Sequence, residues 1–178
     1  MVQHWEQSRV RFSDDFDASC SQTLCMNASL FDVYEEAPRA ELLRRIATWR
    51  AEDRPLWGKF DARAAVCHCQ QPLRVALGEL RLPRTWVGRL FGGLVKRSML
   101  GSRPFARNLP TESRFLVPSS ASFEAERDLL TLLLRRFGEA GPRAAPRAPH
   151  PFFGALTPEQ WALLMGKHLD HHLRQFGR

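Results

Sequence analysis

The chain closes on "MGKHLDHHLRQFGR", residues 165–178, which places His168, His171 and His172 within little more than one helical turn. Imidazole is the commonest neutral metal donor among side chains. On a helix, residues four apart stack on one face while adjacent residues diverge. His168 and His172 can therefore share one ion, and His171 has to point elsewhere. With Trp161 as the zero of a helical wheel, His172 falls at about 20°, inside the apolar stripe of Met165, Leu169, Leu173 and Phe176. His168 lies at the stripe's margin, and His171 falls toward Lys167, Asp170 and Arg174 on the solvated side. From spacing alone, two satisfied core histidines, or one core and one surface histidine, are the simpler reading, and only a third donor changes it.

His68 is the obvious third donor. It lies in "DARAAVCHCQQPLRVALGEL", residues 61–80, beside the stripe Ala65, Cys69, Leu73, Ala76 and Leu80. Pro72 cannot donate back to the carbonyl of His68 and its ring crowds that carbonyl, which predicts a kink there. Cys67 and Cys69 flank His68, but side chains splay by roughly 100° per helical step and cannot converge on one ion. A cysteine zinc site is not expected. Gln71, near His68, and Gln175, near His168, are candidates to hydrogen-bond a bound water or substrate. Trp161 reads as core, His150 as part of a connection, and no serine or cysteine nucleophile with an adjacent base can be placed.

The elements that must position these residues are helical. "PRAELLRRIATWRAED" begins with Pro38 in its first turn and repeats Leu42, Ile46 and Trp49 on one face. "TWVGRLFGGLVKRSML" is amphipathic but broken by Gly88, Gly92 and Gly93, and its apolar side is expected to pack on the domain rather than enter a membrane. "FEAERDLLTLLLRRFG" has Ser122 as cap and Gly138 as stop, with Leu129, Leu130, Leu133, Leu134 and Phe137 facing inward. The last helix has Thr157 as cap, Pro158 at the first helical position and Gln160 completing a capping box, with Leu156 stapling onto Trp161. No strand pattern of comparable quality occurs. The fold class is all-α, a four-helix bundle with long crossover connections.

At 178 residues, 44% hydrophobic and 25% charged, the chain suits one globular domain with a proper core. Residues 1–28 read as a loosely ordered leader and 29–178 as the bundle, with Met26 as an alternative start. Neither a signal peptide nor an apolar run long enough to span a bilayer is visible, so a cytoplasmic protein with no membrane role is expected. Few cysteines at unpaired spacings fit a reducing compartment. The net charge of +7 is concentrated: Arg81, Arg84, Arg89, Lys96, Arg97, Arg103, Arg107 and Arg114 face only Glu112 within that stretch. Such a segment attracts anions in general. Nucleic acid is not expected, because neither interleaved stacking aromatics nor a helix-turn-helix pattern accompanies it.

"HPFFGALTPEQWALLMGKHLDHHLRQFG", together with "AVCHCQQPLRVALGE" and "RSMLGSRPFARNLPTESRF", resembles the DinB/YfiT-like superfamily, and more closely a bacterial subgroup that shares the "KHLDHHLRQFG" ending. The resemblance covers about residues 29–177. It implies a four-helix bundle that holds a divalent metal, nickel or zinc, through three histidines, which here are His68, His168 and His172. Pro72 departs from the ordinary helix former expected at that place. Some members transfer low-molecular-weight thiols to electrophiles, so a metal-dependent thiol transferase or related detoxification enzyme is the leading expectation, with the basic segment recruiting an anionic thiol cosubstrate or other small-molecule ligand. The alternative is a non-catalytic metal-binding bundle, a homodimer in one version, that senses stress or scaffolds a partner.

Overall fold

The computed structural model describes residues 31–178 apart from positions 112 and 147; the expected leader, the alternative start at Met26, and His4, Cys20 and Cys25 lie outside the described residues. Those residues form an all-helical bundle of five helices: α1 (Glu36–Ala47), α2 (Ala62–Ala76), α3 (Trp86–Met99), α4 (Phe123–Ala140) and α5 (Pro158–Gln175). None of the helices is long and apolar enough to cross a membrane. Four of them close a ring in which α1 packs on α4 and α5, and α2 packs on the same two. α1 and α2, and likewise α4 and α5, are therefore joined in sequence without being principal neighbours, while α2 meets α4 across the long segment that carries α3. The connections 48–61 and 141–157 have to cross the bundle end, as the expected crossovers require.

Four of the five helices start at a side-chain cap. Asp61, Thr85 and Ser122 accept from the backbone N–H three residues on, and Thr157 and Gln160 form a reciprocal capping box. α1 has no side-chain cap; instead the Arg39 guanidinium donates to the carbonyls of Val33 and Tyr34, at 2.9 Å each, and fixes the approach of the chain. α1 also stops at Ala47, short of the expected end near Asp53, yet Trp49 stays fully buried. Its ring lies 5.0 Å from Phe176, and its carbonyl accepts from Arg127 of α4 at 2.9 Å.

Two glycines play roles other than those expected. α4 runs past Gly138 to Ala140 and stops at Gly141, whose φ of +70° is the backbone state glycine tolerates. Gly138 lies inside the helix, where the missing side chain lets the Val33 carbonyl and the Arg39 side chain come close enough to meet any Cβ. α2 is buried on nearly every side from Ala65 to Leu73, not along one stripe, and it continues through Pro72 as a single helix. Its buried Gln70 is satisfied by α4, donating to the Glu126 carbonyl at 3.0 Å and to its carboxylate at 2.6 Å. Burial works against the Glu126 charge, but hydrogen bonds from Ser119, Gln70 and Cys67 outweigh it and hold the carboxyl below its usual range.

His150 organises the turn that feeds α5. Its Nδ1 accepts the backbone N–H of Phe152 at 3.1 Å and of Phe153 at 3.2 Å, and its ring lies 4.6 Å from Phe153 and 5.4 Å from Trp161. Burial pushes its pKa down to about 4. The folded value thus lies below the unfolded one of about 6.5. The contribution is intact above about pH 6.5 and is lost as pH falls toward about 4, because the unfolded chain takes the proton first. Denaturant titrations at neutral pH and at about pH 5 should show a loss of about 2 kcal/mol from this residue alone. A His150→Gln variant, which keeps an acceptor, should lose correspondingly less, and an equal loss in both proteins would clear His150 of this role.

Candidate metal centre

His68 is carried by the middle of α2, while His168 and His172 are one turn apart on α5, which packs beside it. The structure brings these three sequence-predicted residues together. His68 Nε2 lies 3.0 Å from His168 Nε2, and one ligand atom from each of the three histidines falls within 4.8 Å of the others. The ring centroids are 4.8 to 5.0 Å apart, each pair edge to face. His68 and His172 are buried, and His168 keeps a partly exposed edge. The trio therefore sits below the surface with one side still within reach of it.

Hydrogen bonds at the far sides of the rings decide which nitrogens are free. Gln175 Nε2 donates to the Trp57 carbonyl at 2.7 Å, so Gln175 Oε1 remains an acceptor toward His172 Nδ1 at 2.8 Å. His172 must then carry its proton on Nδ1 and leave Nε2 bare. His68 Nδ1 faces the Phe115 carbonyl at 3.4 Å, a longer contact that favours the same tautomer. Gly58, at φ +82°, lies so close to the Gln175 amide that a Cβ would collide with it. Phe60 stacks on His68 at 5.2 Å and lies 5.9 Å from His172, lining the apolar side of the trio.

All three imidazoles are held neutral. Burial is the first cause in each case, and neighbouring histidines add to it: His68 falls to about 4, His172 to about 3, and His168 moves well below its usual value. Neutral imidazole is the form that binds metal. Nitrogen donors on one tetrahedral ion, each about 2.0–2.1 Å away, lie roughly 3.3 Å apart, a separation the observed 3.0 Å and 4.8 Å bracket. Two bare nitrogens at 3.0 Å also repel unless a proton or a cation sits between them. The donor set thus fits a divalent ion.

The other sequence candidates are placed differently. Gln71 donates to the Cys67 carbonyl at 3.1 Å and is committed within α2. Gln175 is the second residue of the site, held to His172 rather than to a ligand. Burial raises both Cys67, to about 11, and Cys69, so neither thiol is a nucleophile at neutral pH. The solvated face expected for α5 is only partly there. Lys167 is buried, donating to the Met99 and Gly101 carbonyls at 2.6 and 2.5 Å, and Asp170 pairs with Arg45 at 2.8 Å. Arg174 alone of that group is exposed.

His171 stands outside the trio but next to it. Its ring is 5.1 Å from His172 and lies between Trp57 and Phe105, each at 5.9 Å. These aromatics line an open cleft of about 390 Å³, which also receives Arg107, Lys167 and Arg174. The Arg107 guanidinium lies 4.3 Å from the Trp57 ring centroid. Sequence reasoning missed this cleft, because Trp57 and Phe105 sit in irregular connections where no periodicity marks them.

Replacing Gln175 by leucine should release the His172 ring while leaving the helix intact. Loss of an outer hydrogen bond of this kind lowers metal affinity by about 10–100-fold. Calorimetric titration with zinc or nickel, beside an unchanged circular dichroism spectrum, is the check, and an unaltered affinity would remove Gln175 from the site.

Fold and side chains together define an all-helical bundle with three neutral histidines, on two of its helices, that could hold a metal ion. Residues 43–178 match the protein family described as a protein of unknown function, DUF1569, and the chain belongs to that family. No curated protein matches it. No solved structure matches it either.

Proposed function

We propose that this protein is a divalent-metal-dependent enzyme of the DinB-like superfamily that transfers a low-molecular-weight thiol to an electrophile. The observation that carries the reading is the pairing of the neutral trio His68, His168 and His172 with a cationic, aromatic cleft one ring away. Nickel or zinc suits the all-nitrogen set. Held by the neutral imidazoles of His68, His168 and His172, such an ion would keep its full positive charge and would supply the Lewis acidity that lowers the pKa of a thiol toward neutrality.

The chain's own residues do the rest. Arg107 gives the cleft positive charge that attracts an anionic cosubstrate, while Arg174 pairs at 3.6 Å with Asp170 on the same wall. Trp57 and Phe105 offer flat apolar surface for its uncharged part. Gln175 and the Phe115 carbonyl keep His172 and His68 in the tautomers that present Nε2 inward. In the reaction the sulfur forms a bond to carbon, the electrophile's leaving group departs with its electron pair, and the thiol proton passes to solvent.

The test is conjugation of thiols to chlorodinitrobenzene by the zinc- or nickel-loaded protein. An anionic thiol such as glutathione should outcompete neutral mercaptoethanol. Arg107→Gln should raise KM for the anionic thiol with kcat kept, and His168→Ala should abolish turnover. Turnover that survives His168→Ala contradicts the reading. A metal-loaded protein inert across thiols would leave a metal-binding bundle without turnover.

A further inference from the structure

The sequence expectation that the apolar side of α3 packs on the domain is reversed in the structure. Trp86, Leu90 and Leu94, each four residues apart, are 73%, 68% and 73% exposed, and Phe91 beside them is 53% exposed. The side turned to the domain is the glycine side. Gly88 and Gly92 lie so close to the Phe152 backbone that a Cβ on either would meet its carbonyl. α3 has no principal packing partner among the other four helices. It is held by backbone and charge: Thr85 N–H to the Pro151 carbonyl at 3.0 Å, Lys96 to the Ala155 carbonyl at 3.1 Å, and Lys167 to the Met99 and Gly101 carbonyls at its far end. Arg89 lies beside the apolar ridge and Arg97 continues its line three residues beyond Leu94; both are exposed, and no acidic residue occurs from 81 to 111.

We propose that α3 is a membrane-surface helix, with Trp86, Leu90, Phe91 and Leu94 seated at the headgroup–acyl boundary of an anionic bilayer and Arg89 and Arg97 against its phosphates. An exposed apolar ridge with basic flanks is the composition such interfacial helices use. Glycines weaken a free helix of this kind because they must be ordered on binding. Here they face the bundle and the helix is already formed, so that cost falls on folding and not on docking. The charge pattern favours lipid over a second copy: a two-fold pairing of this face would set Arg89 and Arg97 near their own images, with no acid on the helix to offset them. Anionic lipid headgroups supply the complementary charge. The inference is independent of the metal centre, which lies on α2 and α5.

The experiment is co-sedimentation of the full chain with phosphatidylcholine vesicles and with vesicles that also contain phosphatidylglycerol. Binding to the mixed vesicles should exceed binding to the neutral ones by about tenfold or more at low salt, and decline as salt is added. Leu90→Ser with Leu94→Ser, and separately Arg89→Glu with Arg97→Glu, should each remove most of it. All four side chains are exposed, so both variants should keep the parent's circular dichroism and thermal transition. Absence from both vesicle types, which is what a protein partner would give, overturns the proposal. So do equal binding to both vesicle types, binding that survives both variants, and a dimer in sedimentation velocity that Leu90→Ser with Leu94→Ser dissolves.

Discussion

Replacing His172 by alanine is expected to reduce affinity for a divalent metal on the order of 100-fold or more, while a His171→Ala protein retains it. The two residues are adjacent in sequence and their rings are 5.1 Å apart, so bulk proximity does not distinguish them. Orientation does. His172 turns toward His68 and His168, with its Nδ1 proton held by Gln175, whereas His171 turns into the cleft between Trp57 and Phe105. Removal of His172 takes one nitrogen from the trio and also leaves Gln175 Oε1 without its donor. Elemental analysis after exhaustive dialysis is the direct measurement. Wild type and His171→Ala should hold about one ion per chain, and His68→Ala, His168→Ala and His172→Ala should hold little. Stoichiometric metal in all three ligand variants would sink the three-histidine centre.

Trp49→Ala should destabilise the fold by about 3–5 kcal/mol, the range for truncating a fully buried large aromatic side chain. The residue lies beyond the last turn of α1 and is fully buried. Its ring packs on Phe176 after α5, and its carbonyl takes a hydrogen bond from Arg127 of α4. Truncation leaves a cavity where three helices meet. The measurement is the urea midpoint at constant m-value, and the slope should stay near that of the parent because the whole bundle still unfolds together. A change below about 1 kcal/mol would mean that the site collapses around alanine.

Much of this was legible in the sequence for identifiable reasons. The caps of α4 and α5 lie at Ser122 and Thr157 as expected, because side-chain oxygens that accept from nearby backbone N–H groups are local signals; Asp61 and Thr85 cap α2 and α3 by the same chemistry. The inward turn of His168 and His172 follows from helical period alone. What could not be read depends on which neighbour covers a face. Lys167 lies on the polar side of the wheel, yet it is buried because the end of α3 offers it two carbonyls. Gly138 reads as a stop and is instead a place where Val33 and Arg39 come close. The largest reversal is α3, whose amphipathic pattern gives a stripe but not its direction. Gly88 and Gly92 decide that direction by admitting the Phe152 backbone.

The order in which the ring closes bears on how the chain reaches it. Because α1 finds its main partners in α4 and α5, and α2 in the same pair, neither α1 with α2 nor α4 with α5 can assemble as a local hairpin, and α2 meets α4 only across residues 77–122. Helix–helix contacts in this bundle are of high sequence separation, the condition under which folding slows relative to up-and-down bundles of similar size. During synthesis, the Leu42 and Ile46 stripe of α1 has no helix to cover it until Phe123–Ala140 has emerged. The nascent chain therefore carries exposed apolar surface through most of its own translation, and its early dependence on holding factors should exceed that of a bundle built from neighbouring pairs.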